Sequence, residues 1–141
     1  MNQEEIGFQF KNIEILEFSF KHPLMEIPEN TPFKFDINIE HKVNIEEKVI
    51  MVISSFNIFF DEMNEKTGKA VISCIYLIDN IHQFVDKTDK YSLSDNLITM
   101  FNSISISTCR GALFSLFRGT PLQSVLLPII NPRNLIKNGI N

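Results

Sequence analysis

Residues 33–45 read FKFDINIEHKVNI and alternate between apolar and polar side chains. Six of the seven odd positions are apolar, the exception being His41, and every even position from Lys34 to Asn44 is polar. A period of two is typical of a β-strand that buries one face. The pattern predicts a half-buried strand over Phe33–Ile45, with a break near His41 because thirteen residues is long for one strand.

Three further segments have the composition of strands. Ile6–Phe20 alternates but changes parity near Ile15, which predicts a β-bulge. Lys48–Phe60 is apolar on both parities, as in a central strand covered on both faces. A fourth strand is predicted over Lys69–Phe84, after a polar turn at Asp61–Gly68. The short polar connections indicate antiparallel neighbours.

The second half of the chain is predicted to be helical. Leu93–Phe117 has apolar and small residues at helical spacing, with Ser92 and Asp95 as its start signal and a kink or fray expected near residues 104–108. A short helix is predicted after Pro132, over Arg133–Lys137. Four strands followed by helices predict one α+β domain over residues 1–141, with an antiparallel sheet and the helices on one side.

Small side chains at a spacing of four residues form a stripe along one face of the predicted long helix. Such a stripe lets another backbone come close, and the apolar excess of the strands also exceeds what the helices could cover. Uncovered apolar surface indicates an interface, so we expect a homo-oligomer. The residues of the stripe are Ser103, Ser107, Gly111 and Ser115.

Composition and motifs argue against catalysis. Cys74 and Cys109 are lone thiols in apolar stretches, and the three histidines have no ligand spacing, so no metal site is predicted. No phosphate-binding or nucleophile motif is present, so neither a cofactor nor an enzyme activity is expected. The N-terminus lacks a signal-peptide pattern and no apolar run could span a membrane, which favours a cytoplasmic location.

Charge is distributed unevenly along the chain. Residues 1–65 contain 13 acidic and five basic side chains, whereas residues 66–141 contain four acidic and eight basic ones. The acidic half is either an ordinary solvated face or a docking surface for a basic partner. Without a Lys/Arg cluster to neutralise phosphates, nucleic acid is not expected to bind.

Two short motifs resemble the SecB family of protein-export chaperones. Arg118–Pro132, RGTPLQSVLLPIINP, here called the connector, places Arg-Gly-Thr ahead of Leu-Leu-Pro-Ile at the SecB spacing. Glu17–Pro23 matches the family's strand-one signature at Ser19, Phe20 and Pro23, but has Lys21 where the family has glutamate. The family's aromatic segment in the long helix is missing, and Arg110 takes the place of its arginine within one residue. The order of elements is also similar to SecB throughout the chain.

The resemblance implies an ATP-independent holdase that is a dimer of dimers, binds unfolded or nascent proteins in apolar grooves and passes them to SecA. Glu17 and Lys21 would then lie at the SecA docking face. Two other hypotheses remain open: a SecB-like chaperone dedicated to one client such as an antitoxin, and an oligomeric binding domain for a small apolar ligand. The residues predicted to line the client groove are Ile37, Ile39, Phe59, Phe60, Leu126, Ile129, Ile130 and Leu135.

Overall fold

The computed structural model describes residues 7–22, 27–28, 30–60, 65–86 and 92–131. Four long strands form one antiparallel sheet: β1 (Phe8–Phe20), β2 (Phe33–Asn44), β3 (Val49–Phe60) and β4 (Lys66–Ile78). Their order across the sheet is β1-β4-β3-β2, so β1 and β2 are its two edges. Two-residue strands β5 (Val85–Asp86) and β6 (Ser92–Leu93) pair with each other, and α1 (Asp95–Leu116) follows.

The core lies between α1 and one face of the sheet. Alternate side chains of β3 and β4 fill it, including Val52, Phe56, Ile72 and Tyr76, all of which are inaccessible to solvent. The opposite face of these two strands, which carries residues such as Ile53 and Ile75, is only half-buried. The expectation that β3 is covered on both faces is therefore wrong, because the single long helix covers one face only.

The fold class and the strand pattern are confirmed, with differences in detail. β2 passes His41 without a break, and its register with β3 is continuous from Phe33 to Asn44. β1 has register shifts against β4 next to Phe10 and Ile15, so the predicted irregularity near Ile15 is confirmed.

β4 begins at Lys66 and ends at Ile78, earlier at both ends than predicted. Gly68 therefore lies in the strand rather than in the preceding turn. A 3-10 turn at Ile81–Gln83 follows, where the sequence pattern had predicted that the strand would continue.

The ends of α1 are set by a cap and a glycine. Ser94, and not Ser92 as predicted, is the N-cap, and its side chain accepts a hydrogen bond from the Leu97 N–H at 3.3 Å. The helix continues through residues 104–108 without the expected kink. Just beyond its end Gly119 has a φ of 78°, a left-handed conformation that favours glycine and turns the chain into the connector. The predicted short helix at 133–137 lies outside the described residues.

Candidate binding surfaces

The inner face of the edge strand β1 carries an uncovered row of apolar side chains. Each of these residues lies opposite a core residue of β4, so all of them face the α1 side of the sheet. Phe10, Ile13 and Ile15 nevertheless remain 44%, 41% and 44% exposed. The full set, here called the β1 row, is Phe8, Phe10, Ile13, Ile15, Phe18 and Phe20.

The β1 row is partly open because α1 packs above the central strands and meets β1 near the two ends of the strand. Phe8 packs edge-on against Phe101 with ring centroids 5.3 Å apart, and Phe18 packs against Phe117 at 5.1 Å. Between these two contacts the middle of β1 has a free strand edge and exposed apolar side chains. A long, apolar strand edge is a surface on which another strand can add.

The connector forms a second apolar surface. Leu122, Val125 and Leu127 are buried, whereas Leu126 and Ile129 are 60% and 95% exposed. Residues that alternate between inward and outward directions fix an extended segment against the core while presenting its other side to solvent.

Arg110 holds the connector in place. Its Nε donates to the Leu127 carbonyl at 2.9 Å, and a terminal guanidinium nitrogen donates to the Pro128 carbonyl, also at 2.9 Å. Both bonds are charge-assisted and are therefore stronger than neutral ones. Arg110 thus fixes the two carbonyls that lie between the exposed residues Leu126 and Ile129. The sequence alone indicates Arg110 only by its place in a motif.

The connector lies on the β2 side of α1. Asn102 points to that side, because its Oδ1 accepts a hydrogen bond from Nε2 of His41, on β2, at 2.7 Å. Arg110 lies eight residues later, about 80° further around the helix and away from the sheet. The two edges of the sheet therefore differ: helix geometry places the connector toward the β2 side of α1, whereas the middle of β1 has no covering segment among the described residues.

This arrangement places the predicted groove residues on different surfaces. Ile37, Ile39 and Phe60 lie on the α1 side of the sheet, Ile39 being fully buried. Phe59 pairs with Lys34 on the opposite face and cannot line the same groove. On the connector, Leu126 and Ile129 face solvent and Ile130 packs on the core. Leu135 lies outside the described residues.

Several polar side chains, here called the polar seam, lie between α1 and the sheet. Tyr76 and Ser105 share a hydrogen bond of 2.7 Å, and the Asn102 side chain is fully buried. Burial lowers the pKa of His41, although its bond to Asn102 raises it. Cys74 and Cys109 are buried, as predicted, and the hydrogen bond between them and burial raise the pKa of Cys109. Polar residues in this seam were not identified by sequence patterns, because buried Ser and Asn have no distinctive spacing.

The small-residue stripe faces away from the sheet. All four of its residues, Ser103, Ser107, Gly111 and Ser115, are exposed. A Cβ added to Gly111 would meet no atom within 4 Å. The stripe therefore remains available for contact with another chain.

The other face of the sheet carries the charges considered for partner docking. Glu17 forms an ion pair with Lys69, with Oε2 and Nζ 3.2 Å apart, and both side chains are partly exposed. Lys21 is exposed, follows β1, and donates its backbone N–H to the Thr67 carbonyl at 2.9 Å.

Within the described part of the chain, no cluster of three potential metal ligands is found. Nor is any described helix long and apolar enough to cross a membrane.

Comparison with known proteins identifies solved structures with a similar fold. No family model and no curated protein matches the chain. Among solved structures, the SecB-like chaperone Rv1957 of Mycobacterium tuberculosis, in complex with a ChAD peptide from the Rv1956 HigA1 antitoxin, aligns with a TM-score of 0.62 and 12% identity. The alignment covers 87% of this chain and 89% of that one. A protein of unknown function from Streptococcus agalactiae aligns with a TM-score of 0.49 and 10% identity, over 89% of this chain and 100% of that one. The alignment with Rv1957 shows that the protein has a SecB-like α+β fold.

Proposed function

We propose that this protein is an ATP-independent holdase chaperone of the cytoplasm, without enzyme activity. Non-native polypeptides would bind beside the connector, along the free edge of β2. The observation that carries this proposal is the pinned connector, which keeps Leu126 and Ile129 exposed on the β2 side of α1. Together, the exposed Leu126 and Ile129 form an apolar surface on a fixed segment, and such a surface is suited to contact with another polypeptide.

The edge of β2 supplies the other half of this groove. Phe33, Phe35 and Ile37 line its α1 side and are half-buried, and the outer backbone edge of β2 has no neighbouring strand in the sheet. An extended client segment can hydrogen-bond to that edge through its main chain, which is independent of sequence, while its apolar side chains contact the connector. Binding of this type needs no nucleotide.

A chaperone dedicated to one client is the second candidate. It is supported by the solved Rv1957 complex, in which a SecB-like chaperone holds a peptide from an antitoxin. A panel of unrelated unfolded proteins separates the two candidates, since a general holdase binds most of them and a dedicated one binds few. A small apolar ligand, the third hypothesis, has no comparable observation in its favour.

The assembly we propose begins with antiparallel pairing of β1 with β1 of a second copy. The β1 row is self-complementary: in a register where paired residue numbers sum to 28, Phe8 meets Phe20, Phe10 meets Phe18, and Ile13 meets Ile15. All of these pairs lie on the α1 side of a continuous eight-stranded sheet. Covering three half-exposed residues on each copy would contribute roughly 4–9 kcal/mol, taking about half of the value for full burial for each of the six side chains. Two such dimers would then meet through the small-residue stripes of their helices.

SecA is proposed to bind weakly if it binds at all. Glu17, a candidate for docking a basic tail, is already paired with Lys69, and position 21 is a lysine. Exposed pairs contribute only about 0–1 kcal/mol each, so these changes lower affinity without altering the fold. Titration of the SecA C-terminal tail into the natural protein should give weak, salt-sensitive binding that Lys21→Glu improves. Tight binding without gain from the substitution would contradict this part of the proposal.

Suppression of aggregation tests the holdase function. A chemically unfolded client is diluted into buffer with stoichiometric amounts of this protein and no ATP, and light scattering is followed. We expect the client to stay soluble, and serum albumin at the same concentration to serve as an inactive control. Aggregation at the rate seen with albumin, for every client of the panel, would refute the proposal.

A further inference from the structure

We infer that Lys21 forms an ion pair with Asp79 of a second copy, reaching it across Gly7, and that this pair sets the register of the β1–β1 interface. The inference rests on the assembly proposed above. It assigns a role to the residue at which this chain reverses the charge of the SecB-like signature.

Lys21 lies in a positively charged recess. An open cavity of about 360 Å³ is lined by Ser19, Phe20, Lys21, Lys66, Thr67 and Gly68. Among these described lining residues two are lysines and none is acidic. Neither Lys21 nor Lys66 forms an ion pair with any residue the structure describes. The recess is therefore suited to a carboxylate from another chain.

Asp79 lies at the opposite end of β1. Its backbone N–H donates to the Gly7 carbonyl at 3.1 Å, so it extends the β1–β4 pairing by one step beyond Phe8 and Ile78. Its Oδ2 is 3.8 Å from the point where a side chain on Gly7 would begin. The carboxylate is exposed and rests beside a residue that has no side chain. Two more carboxylates, those of Glu4 and Glu5, precede Gly7 in the sequence.

The two charges cannot meet within one chain. β1 is a single strand of 13 residues, with Lys21 just past one end and Asp79 beside the other. At about 3.3 Å per residue, the ends are roughly 40 Å apart. A lysine and an aspartate side chain together span less than a quarter of that distance. An ion pair between these residues therefore requires two copies.

The proposed register brings the charges together. Residue numbers that sum to 28 place Lys21 opposite Gly7 of the second copy. Phe20 and Phe8 face α1, so Lys21, Gly7 and Asp79 share the opposite face of the sheet. Two strand spacings, roughly 10 Å between backbones, separate Lys21 from Asp79 of the second copy. The side chain of Lys21 can cover this distance because Gly7 leaves the path clear. The two-fold axis produces the contact twice.

This ion pair would add specificity to an interface whose apolar contacts are permissive. Because the β1 row changes parity at two bulges, a slip of two residues would mismatch its faces, but a slip of five residues still pairs Phe8 with Ile15 and Phe10 with Ile13. A slip of five residues would separate Lys21 from Asp79 by about 17 Å and lose both ion pairs. A glutamate at position 21 would place like charges in contact with Asp79. Lys21 would thus favour the register in which paired β1 residue numbers sum to 28.

Charge reversal with exchange tests the inference. The variants are Lys21→Glu, Asp79→Lys and the double exchange, with Lys42→Glu on the far edge strand as a control of equal charge change. Sedimentation velocity over a range of concentrations gives the dimer dissociation constant at about 50 and about 300 mM salt. We expect each single reversal to weaken the dimer about tenfold at low salt, less at high salt, and the exchange to restore it.

The outcomes separate this inference from the assembly on which it rests. If Lys21→Glu has no more effect than Lys42→Glu, or if the exchange is as weak as the single variants, the ion pair is refuted while the natural dimer stands. If the natural protein is a monomer at every concentration, both the ion pair and the β1 interface are refuted. Restoration by the exchange cannot arise from a folding defect, because the exchanged protein carries both substitutions.

Discussion

Removal of the Arg110 side chain should release the connector without unfolding the domain. Arg110→Ala deletes two charge-assisted hydrogen bonds, to the carbonyls of Leu127 and Pro128. Each such bond contributes about 1.5–3 kcal/mol when buried, but one of these is exposed, so we expect about 2 kcal/mol in total. A loss of this size should increase the open population of the connector roughly thirtyfold.

Hydrogen exchange measures this opening directly. The Val125 N–H, bonded to the Leu122 carbonyl at 2.9 Å, lies within the connector and reports its release. We expect its exchange to accelerate about thirtyfold in Arg110→Ala, while the amides of β3 and β4 are unchanged. Arg118→Ala is the matched control, because Arg118, at the start of the connector, stacks over the Phe114 ring at 5.3 Å, a contact worth about 0.5–1 kcal/mol that does not involve Leu127 or Pro128. Equal exchange in the two variants would refute the role assigned to Arg110.

Three further predictions concern assembly, packing and pH. Gly111→Leu should lower the assembly state in light scattering while the monomer keeps its helix content, because space is open around Gly111. Gly68→Ala should lower the free energy of unfolding by about 1–3 kcal/mol in urea titrations, since its Cβ would come within 2.9 Å of Leu122. Gly111→Ala, the matched control, should raise it by about 0.5–1 kcal/mol. Burial holds the pKa of His41 below 6.5, so the unfolded chain binds the proton more tightly and stability should fall as pH drops below about 6.5. His41→Gln should lose that part of the pH dependence; an unchanged slope in urea titrations at about pH 7.5 and 5.5 would contradict this reading.

The sheet could be predicted from the sequence because period-two alternation is a strong local signal. Phe33–Asn44 shows it in nearly every residue, and the structure places that strand as predicted. The buried face of β2 also followed, since its alternation fixes which residues share a side. Boundaries were less accurate: Lys66 and Thr67 are polar and resemble a turn, yet they pair with neighbouring strands.

Which apolar residues remain exposed could not be predicted, because exposure depends on where α1 lies. The β1 row is as apolar as a buried strand, and only the placement of the helix over β3 and β4 leaves its middle open. The same holds for Phe59, which was grouped with Ile37 on composition although it faces the other side of the sheet. The clamp formed by Arg110 joins residues 17 and 18 positions apart, a separation with no sequence signature.

Binding of an unfolded polypeptide to connector variants tests the central claim most directly. A fluorescently labelled, permanently unfolded client is titrated with the natural protein, with Leu126→Ser/Ile129→Ser, and with Phe114→Ser, which removes an exposed aromatic side chain from α1. The proposed groove predicts that the double variant binds at least tenfold more weakly, a loss of about 1.4 kcal/mol or more, and that Phe114→Ser binds like the natural protein. Equal affinity of the double variant and the natural protein, with both folded, would show that clients do not bind at the connector.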